Sequence, residues 1–383
     1  MAPRFKNRYL VIFIAALIGL FLLDIISSFL VGHSSSDLSS TKTTDAYRNK
    51  NVRLFAATPF FGRPIDNSWL SKCSEYCKLV DNSESADAVM YHIPDYRFLS
   101  TNELKSNQIA VIWSLESPIY QHLSRELRGR INWTMTYRRD SDVWFPYGVI
   151  RKRDKPIQID YDKIWRDKKR MVVWLVSNCG HANGRLILGR ALQKSGLELD
   201  IFGACGQHKT PNDCDGVKKQ SDQCVAELFM PYMFALSFEN SLCKDYITEK
   251  FFEVLQKRYA IPIVMRRKDY EHIAAPPNSF IAVDDYKNID ELISDIKTIA
   301  SNKFTYLKYH RWRESYEIQS DYFHIDDTGF CALCKKLMRQ RFSRKHYDDV
   351  AAWWNSNEIC EIPQDGFVNE FLSKSGMVVP QVR

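Results

Sequence analysis

Short apolar runs recur from Val52 onward, each closed by polar or turn residues: RLFAAT, ADAVMYHI, QIAVIWSL and INWTMTY. Runs of this length, apolar on both faces and bounded by turn signals, are what buried parallel strands require. A charged bridge follows at 161–170, YDKIWRDKKR. Beyond it lies a second series: MVVWLVSN, a helical NGRLILGRALQKSG, LELDIFG, MFALSFEN, a helix from about Asp245 to Tyr259, IPIVM and SFIAVDDY. In NIDELISDIKTIA the residues Ile289, Leu292, Ile293 and Ile296 keep helical spacing. Strands alternating with helices build a parallel sheet covered on both faces. Two such series give an α/β chain with two Rossmann-like domains facing a cleft.

At 383 residues and 45% hydrophobic, the chain can bury cores of that kind and global disorder is excluded. Its net charge of +7 is dispersed, with no basic block. That suits an anionic ligand better than nucleic acid, which calls for a basic stripe. The N-terminus sets the compartment. Tyr9 to Val31 carries one charge, Asp24, and is long enough for a spanning helix. Arg4, Lys6 and Arg8 precede it, and no Lys or Arg follows until Lys42. The positive-inside rule then leaves residues 1–8 in the cytosol and the bulk of the chain in the lumen. A cleaved signal peptide would have a shorter apolar core. Residues 32–50, rich in Ser and Thr, read as a flexible stem. In an oxidising lumen the ten cysteines favour disulfides, and the lone CALC at 331–334 is a weak zinc signal.

One stretch raises a chemical question. SFENSLCKDYITEKFF, at 237–252, opens a strand end into a crowd of polar groups just where a helix begins. Ligands of βαβ units bind beyond the carboxyl end of the strand, where a helix N-terminus favours phosphate. Tyr246, Glu249 and Lys250 have the i, i+3, i+4 spacing of one helix face. Lys250 supplies a point charge for phosphate. Glu249 suits sugar hydroxyls, and Asn240 and Tyr246 can donate or accept. The residue types fit a sugar nucleotide better than a bare nucleotide. A capped helix with solvated charges explains the stretch equally well on the residues alone.

The stretch FENSLCKDYITEKFF closely resembles the signature of the GDP-fucose-dependent α1,3-fucosyltransferases, family 10 of the glycosyltransferases. WSLESP at 113–118, NWTMTYRRDSDVWFPYG at 132–148 and WLVSNCGHANGRL at 174–186 match further blocks in order, so the resemblance spans about Val52 to Cys334. The resemblance is greatest to invertebrate and plant enzymes, including those that act on the N-glycan core. It implies the GT-B fold. The expected organisation is a cytosolic tail (1–8), a signal-anchor helix (9–31), a stem (32–50), an acceptor-side domain with the base (51–160), a GDP-fucose-binding domain (161–345) and a C-terminal tail (346–383). The resemblance places a type II enzyme in the Golgi membrane with its catalytic part in the lumen. Its partners are GDP-fucose and a GlcNAc-containing acceptor, a protein N-glycan, and no nucleic acid.

The resemblance also assigns roles. Lys250, Glu249, Tyr246 and Asn240 hold GDP-fucose, and Arg185 faces the diphosphate with charge-assisted bonds. Ser177, in the turn after MVVWLV, is included with them, although a simple N-cap explains it too. Glu116 is the catalytic base; from the residues alone a plain strand-end carboxylate is the commoner reading. Fucose is β-linked in the donor and α-linked in the product, so the reaction inverts, and one base takes the acceptor proton. Asp140–Ser141–Asp142 forms a DxD pattern, used by metal-dependent glycosyltransferases of another fold class. Here it sits outside the donor block, so no metal or other cofactor is required, though divalent ions can stimulate. Cys73 and Cys77 should bridge to Cys331 and Cys334, with the pairing open. Cys179, Cys205, Cys214, Cys224 and Cys243 supply further bridges, and Cys360 is free or joins one of them. Asn132 heads the sole N-x-S/T sequon, in an apolar block that burial can shield. Trp113, Trp133 and Trp144 either stack on acceptor sugars or pack in the core. Two other readings compete: a membrane-anchored glycan-binding protein without catalysis, and a DxD metal-dependent glycosyltransferase.

Overall fold

Six short strands near the start of the folded part line up side by side: β1 (Val52–Ala56), β2 (Cys77–Leu79), β3 (Ala88–His92), β4 (Ile109–Ser114), β5 (Trp133–Thr136) and β6 (Val143–Trp144). They form one parallel sheet in the order β2-β1-β3-β4-β5-β6. β3 and β4 are buried along their whole length, which is why their sequences are apolar without alternation. The computed structural model describes residues 51–96, 104–180, 183–210, 214, 223–340, 345–355, 358–361 and 366–377. The expected tail, anchor and stem at 1–50 lie outside them. Among the described residues no helix is long and apolar enough to cross a membrane.

The first sheet departs from expectation in its connections. Among the described residues they contain 3-10 turns, such as Asn67–Leu70 and Arg125–Leu127, and no α-helix. Segments such as TPFFGRPIDNSW are too rich in Pro, Gly and Asn to propagate a helix. The missing cover comes from far along the chain. Helix Gly329–Gln340 buries Phe330, Leu333, Cys334 and Leu337 and packs against β1, β5 and β6. Two disulfides, Cys73–Cys331 and Cys77–Cys334, fix it there. Such a long closed loop is worth about 5–6 kcal/mol in the chain-entropy model, and the second bridge adds less because the first has already closed it.

β7 (Val149–Lys152) leads out of this lobe and pairs antiparallel with β13 (Tyr316–Gln319), which follows the second sheet. The charged bridge begins as helix Tyr161–Asp167, capped by Asp160, whose side chain accepts from Lys163 N. β8 (Arg170–Leu175), β9 (Leu199–Phe202), β10 (Tyr232–Leu236), β11 (Ile261–Val264) and β12 (Ile281–Ala282) then form the second parallel sheet, ordered β12-β11-β10-β8-β9. Helix Arg185–Lys194 crosses from β8 to β9, and helix Ile289–Ser301 buries Ile289, Leu292, Ile293, Ile296 and Ile299, the stripe its spacing promised.

The segment expected as a C-terminal tail carries two helices among its described residues. Val350–Trp354 returns to the first lobe, where the buried Trp354 donates from Nε1 to Gln121 O at 2.7 Å. Phe367–Lys374 packs on helix Arg185–Lys194 of the second. There Gly184 holds φ +72°, and a Cβ on it would lie 3.0 Å from Val368 Cγ1. Both helices are short. Gly148 marks another close approach, since a Cβ there would overlap the Phe252 ring.

Candidate active site

Strand order in the second sheet reverses between β8 and β10, and a crevice at the carboxyl ends of those strands is the usual ligand seat of such sheets. Arg185, first residue of its helix, bridges that crevice. It is 3% exposed and donates from Nη1 to Phe238 O at 3.1 Å and from Nη2 to Asn178 O at 3.2 Å. Asn183 adds a bond from Nδ2 to Glu239 O at 2.8 Å. Burial pulls the Arg185 guanidinium below its usual value, opposed by Glu239 and Tyr120. An arginine starts so far above neutrality that it stays charged.

The loop after β10 differs from a helix starting at Asp245. Asp245 is left-handed at φ +62° and Thr248 is extended, so the helix begins at Glu249 and runs through Glu253. A π-helical turn, Val254–Arg258, completes it, and Tyr259 ends it at φ +50°. Tyr246 therefore lies outside the helix and does not share a face with Glu249 and Lys250. The helix start is also already occupied. Glu239, 4% exposed, accepts from Thr248 N at 2.8 Å and from the Thr248 hydroxyl at 2.7 Å. Lys250 Nζ is held by Thr248 Oγ1 at 2.7 Å, Glu249 Oε1 at 3.0 Å and Glu239 Oε2 at 3.3 Å. Burial disfavours the ammonium, but Glu239 and Glu249 outweigh it and raise its pKa. Burial likewise pushes the Glu239 carboxyl up, whereas Glu249 ends below its usual value: burial works against ionisation there, and Lys250 overrides it. At the helix terminus the N-cap residue Thr248 thus binds a carboxylate of the chain itself, and Lys250 and Arg185 are the cations beside it.

Glu116 comes from the other lobe, two residues beyond β4. Its N–H donates to Ser114 Oγ at 2.9 Å, which turns the chain out of the strand. Tyr246 OH donates to Glu116 Oε2 at 3.3 Å. The contact is not isolated: Ser117 and Ser241 hydroxyls meet at 2.7 Å, and Tyr120 OH donates to Asn240 O at 3.2 Å. These bonds join the ESP block to the ENS block across the cleft. Burial pushes the Glu116 carboxyl up; Glu249 and Glu239 add to the rise, while Lys250 and the Tyr246 hydroxyl pull against it.

The structure thus brings together Glu116, Arg185, Asn240, Tyr246, Glu249 and Lys250. Ser177 lies next to Asn178, whose carbonyl accepts from Arg185, and its own hydroxyl accepts from Ala204 N at 3.5 Å, on the β9 side of β8. Three residues of the cluster were not singled out as site residues from the sequence. Glu239 was visible in the signature, yet nothing in the spacing says that it folds back onto Thr248. Tyr120 and Tyr147 lie outside the blocks' charged positions; Tyr147 is buried and donates to Leu115 O at 2.7 Å.

Other singled-out residues serve packing. Asp140 is gripped by Arg138, Nε at 2.9 Å and Nη2 at 2.6 Å. Asp142 accepts from Thr134 N, Tyr347 OH and Lys345 Nζ. Trp113 and Trp133 are fully buried, and Trp144 is half-buried with the Arg139 guanidinium 4.6 Å over its ring. Trp144 helps line a cavity of about 250 Å³ that also touches Tyr137, Asp245 and Ile247, from both lobes. Asn132 accepts from Ala110 N at 2.8 Å and donates to Lys345 O at 3.0 Å, so its amide nitrogen is built into the fold. The remaining bridges are Cys179–Cys205, Cys214–Cys224 and Cys243–Cys360, and all ten cysteines are paired. Cys360 therefore joins Cys243, inside the signature loop.

Comparison with known proteins matches residues 165–353 to the glycosyltransferase family 10 (fucosyltransferase) C-terminal model and residues 48–148 to the fucosyltransferase N-terminal model. The Caenorhabditis elegans alpha-(1,3)-fucosyltransferase fut-6 is 42% identical over 81% of this chain and 82% of its own length. The Drosophila melanogaster glycoprotein 3-alpha-L-fucosyltransferase A is 36% identical over 76% of this chain and 57% of its own. Among solved structures, an alpha1,3-fucosyltransferase crystallised with GDP-fucose superposes with TM-score 0.51 at 16% identity, over 83% of this chain and 95% of that one. At that identity the match speaks to the fold, and both chains share the GT-B arrangement of two sheets.

Proposed function

We infer the chemistry of the cleft from one premise: this chain belongs to glycosyltransferase family 10, the fucosyltransferases. It is a glycosyltransferase, and it transfers fucose from GDP-fucose to a glycan in α1,3 linkage. The observation that carries the mechanism is the contact of Glu116, at the end of β4, with Tyr246, in the loop that leads to Lys250. A carboxylate from one lobe thereby faces cations from the other.

In our reading, GDP-fucose lies across the β8/β10 crevice. Arg185 and Lys250 face its diphosphate, and Glu249, Asn240 and Tyr246 bond the sugar and its neighbouring oxygens. The acceptor hydroxyl approaches from the first lobe, and Glu116 takes its proton as the new bond forms. The bond to the diphosphate breaks on the opposite face of the sugar, so the anomeric centre inverts in a single displacement. Charge develops on the leaving GDP, where Arg185 and Lys250 are already fixed, so their attraction grows toward the transition state. These two side chains supply the positive charge that a metal gives other glycosyltransferases, and no divalent ion is required. Glu116, pushed up by burial, is the stronger base for it, at the expense of activity in acid.

The acceptor we propose is GlcNAc of a glycoprotein N-glycan, with the core preferred. The protein sits in the Golgi membrane, anchored by residues 9–31 as a type II protein. The five disulfides fit an oxidising lumen. The test is to incubate the full-length enzyme with GDP-fucose and a panel of core and antennary glycans. One added deoxyhexose, mapped by mass spectrometry to O3 of a core GlcNAc, is the expected product. Transfer to antennae alone would move the acceptor assignment, and no transfer to any glycan would favour a binding protein.

A further inference from the structure

The Lys250 ammonium has three N–H groups: Thr248 Oγ1 and Glu249 Oε1 accept from it at 2.7 and 3.0 Å, and Glu239 Oε2 forms an ion pair with it at 3.3 Å. A diphosphate that draws the ammonium toward itself breaks the weakest of these contacts first. Glu239 makes the longest of the three contacts and is the more deeply buried carboxylate, 4% exposed against 22% for the Glu249 side chain. Losing Lys250 would leave it ionised in a low-dielectric site beside a doubly charged diphosphate, which is expensive. The neighbours offer little relief. Glu249 and Glu116 are acidic, and Arg185 is shared with the same phosphates. Tyr246 bonds Glu116, and Tyr270 is a buried phenol with a raised pKa. Arg266 is committed to Asp269 and Glu361.

We propose that Glu239 is a positioning residue that holds Lys250 until the donor diphosphate draws the ammonium away, and that it then accepts a proton from solvent. The inference rests on the reading of the cleft as a GDP-fucose site. The change requires the Thr248 hydroxyl to turn its own proton from Glu239 to the Glu249 carboxylate beside it. Thr248 Oγ1 now receives Lys250 and donates to Glu239. Once Lys250 has moved, the protonated carboxyl donates back to Thr248 Oγ1, while Thr248 N still donates to the other oxygen. A void of about 10 Å³ lies against Glu239, Ser241, Arg266 and Asp269, at the lower limit for one water, and marks the side from which the proton enters. Glu116 is a poor candidate for the same proton, because it has to be ionised to serve as base.

The experiment is calorimetric titration of the full-length enzyme with GDP-fucose, without acceptor, in buffers of different ionisation enthalpy. GDP-fucose avoids the terminal phosphate ionisation of GDP, which falls near pH 6. The expected result is net uptake approaching one proton, with affinity rising as pH falls by up to about tenfold per unit. Glu239→Gln mimics the protonated acid: it should bind GDP-fucose with no proton uptake and no pH dependence, while Glu116→Gln keeps both. Binding without proton uptake in the unaltered enzyme overturns the inference alone, and needs no variant to fold. Uptake that survives in Glu239→Gln, or vanishes in Glu116→Gln, overturns it as well. No binding at any pH would sink the donor reading itself.

Discussion

In the second sheet the reversal of strand order, between β8 and β10, is bridged by Arg185 and backed by Asn183, Glu239 and Lys250. In the first sheet the corresponding reversal, between β1 and β3, is filled with rings. Phe60 stacks on Trp113 with centroids 5.5 Å apart and leans on His92 at 4.9 Å. His92 N donates to Thr58 Oγ1 at 2.6 Å, and its ring bonds Asp95 at 2.5 Å. Asp95 in turn accepts from Phe61 N and Gly62 N. Both lobes thus make the crevice that their topology provides, but one is lined with charge and the other plugged. The first lobe's contribution to chemistry, Glu116, stands instead at the end of β4, two strands from the edge and opposite the donor crevice. Topology offers the seat, and side chains decide whether anything sits in it.

The largest effect on transfer should come from the residue that faces the charged crevice. Glu116→Gln keeps size and shape but removes the base, so turnover should fall about 100-fold or more with GDP-fucose affinity nearly unchanged. Rates at saturating donor, set beside calorimetric affinities, check this. If the variant kept its turnover and lost donor binding, Glu116 would belong to the donor site. In the unaltered enzyme, transfer should fall as pH drops through the Glu116 pKa, which burial holds above the ordinary carboxylate value. Donor affinity should move the other way over the same range if Glu239 takes up its proton.

Next in size are the cations. Lys250→Ala removes a charge-assisted bond worth about 1.5–3 kcal/mol, so donor binding should weaken by roughly 10- to 100-fold, and transfer should slow further as the leaving group gains charge. Arg185→Lys should recover part of what Arg185→Ala loses, since an ammonium cannot bridge Phe238 O and Asn178 O as the planar fork does. Full recovery would mean that charge alone matters there.

The plugged crevice should respond in the opposite sense. Phe60→Ala opens the ring stack and should lower stability by about 2–3 kcal/mol, less than a fully buried ring would cost. GDP-fucose affinity and turnover of the folded enzyme should stay at their original values. Thermal unfolding and donor titration on the same sample separate the two quantities. A loss of donor affinity without a loss of stability would show that the first crevice is also a ligand seat.

Much of this contrast was legible in the sequence, but unevenly. The apolar runs gave both parallel sheets, because a strand buried on two faces has to be apolar throughout. The signature gave Tyr246, Glu249 and Lys250, although the expected helix face was wrong: φ +62° at Asp245 is a backbone choice that local spacing does not encode. The cover of the first sheet was not legible, since Gly329–Gln340 returns across more than two hundred residues and only the cysteines hinted at it. Glu239 was in plain view and unassigned, because its role depends on a fold-back onto Thr248. Ser177 gained no such definition: its hydroxyl accepts from Ala204 N, and its neighbour Asn178 carries the contact to Arg185.

The smallest expected effect is that of chelation. The cleft's positive charge comes from Arg185 and Lys250, two fixed side chains, and the DxD pattern at 140–142 is committed elsewhere. Asp140 neutralises Arg138, which is 4% exposed and also donates to Trp353 O at 2.8 Å. Asp142 ties Thr134 to Tyr347 and Lys345 at the far edge of the first sheet. Drawing either carboxylate onto a metal would strip a cation of its partner, which for buried Arg138 is costly. Transfer rates should therefore be the same after exhaustive EDTA treatment and dialysis, and added magnesium or manganese should at most stimulate by screening the leaving diphosphate. Asp140→Asn separates structure from metal binding: it should lower thermal stability by weakening the Arg138 pair, with turnover of the folded enzyme retained. Activity lost in EDTA and restored by manganese would overturn the assignment of charge to Arg185 and Lys250, and with it the contrast between a crevice that carries its own cations and one that does not.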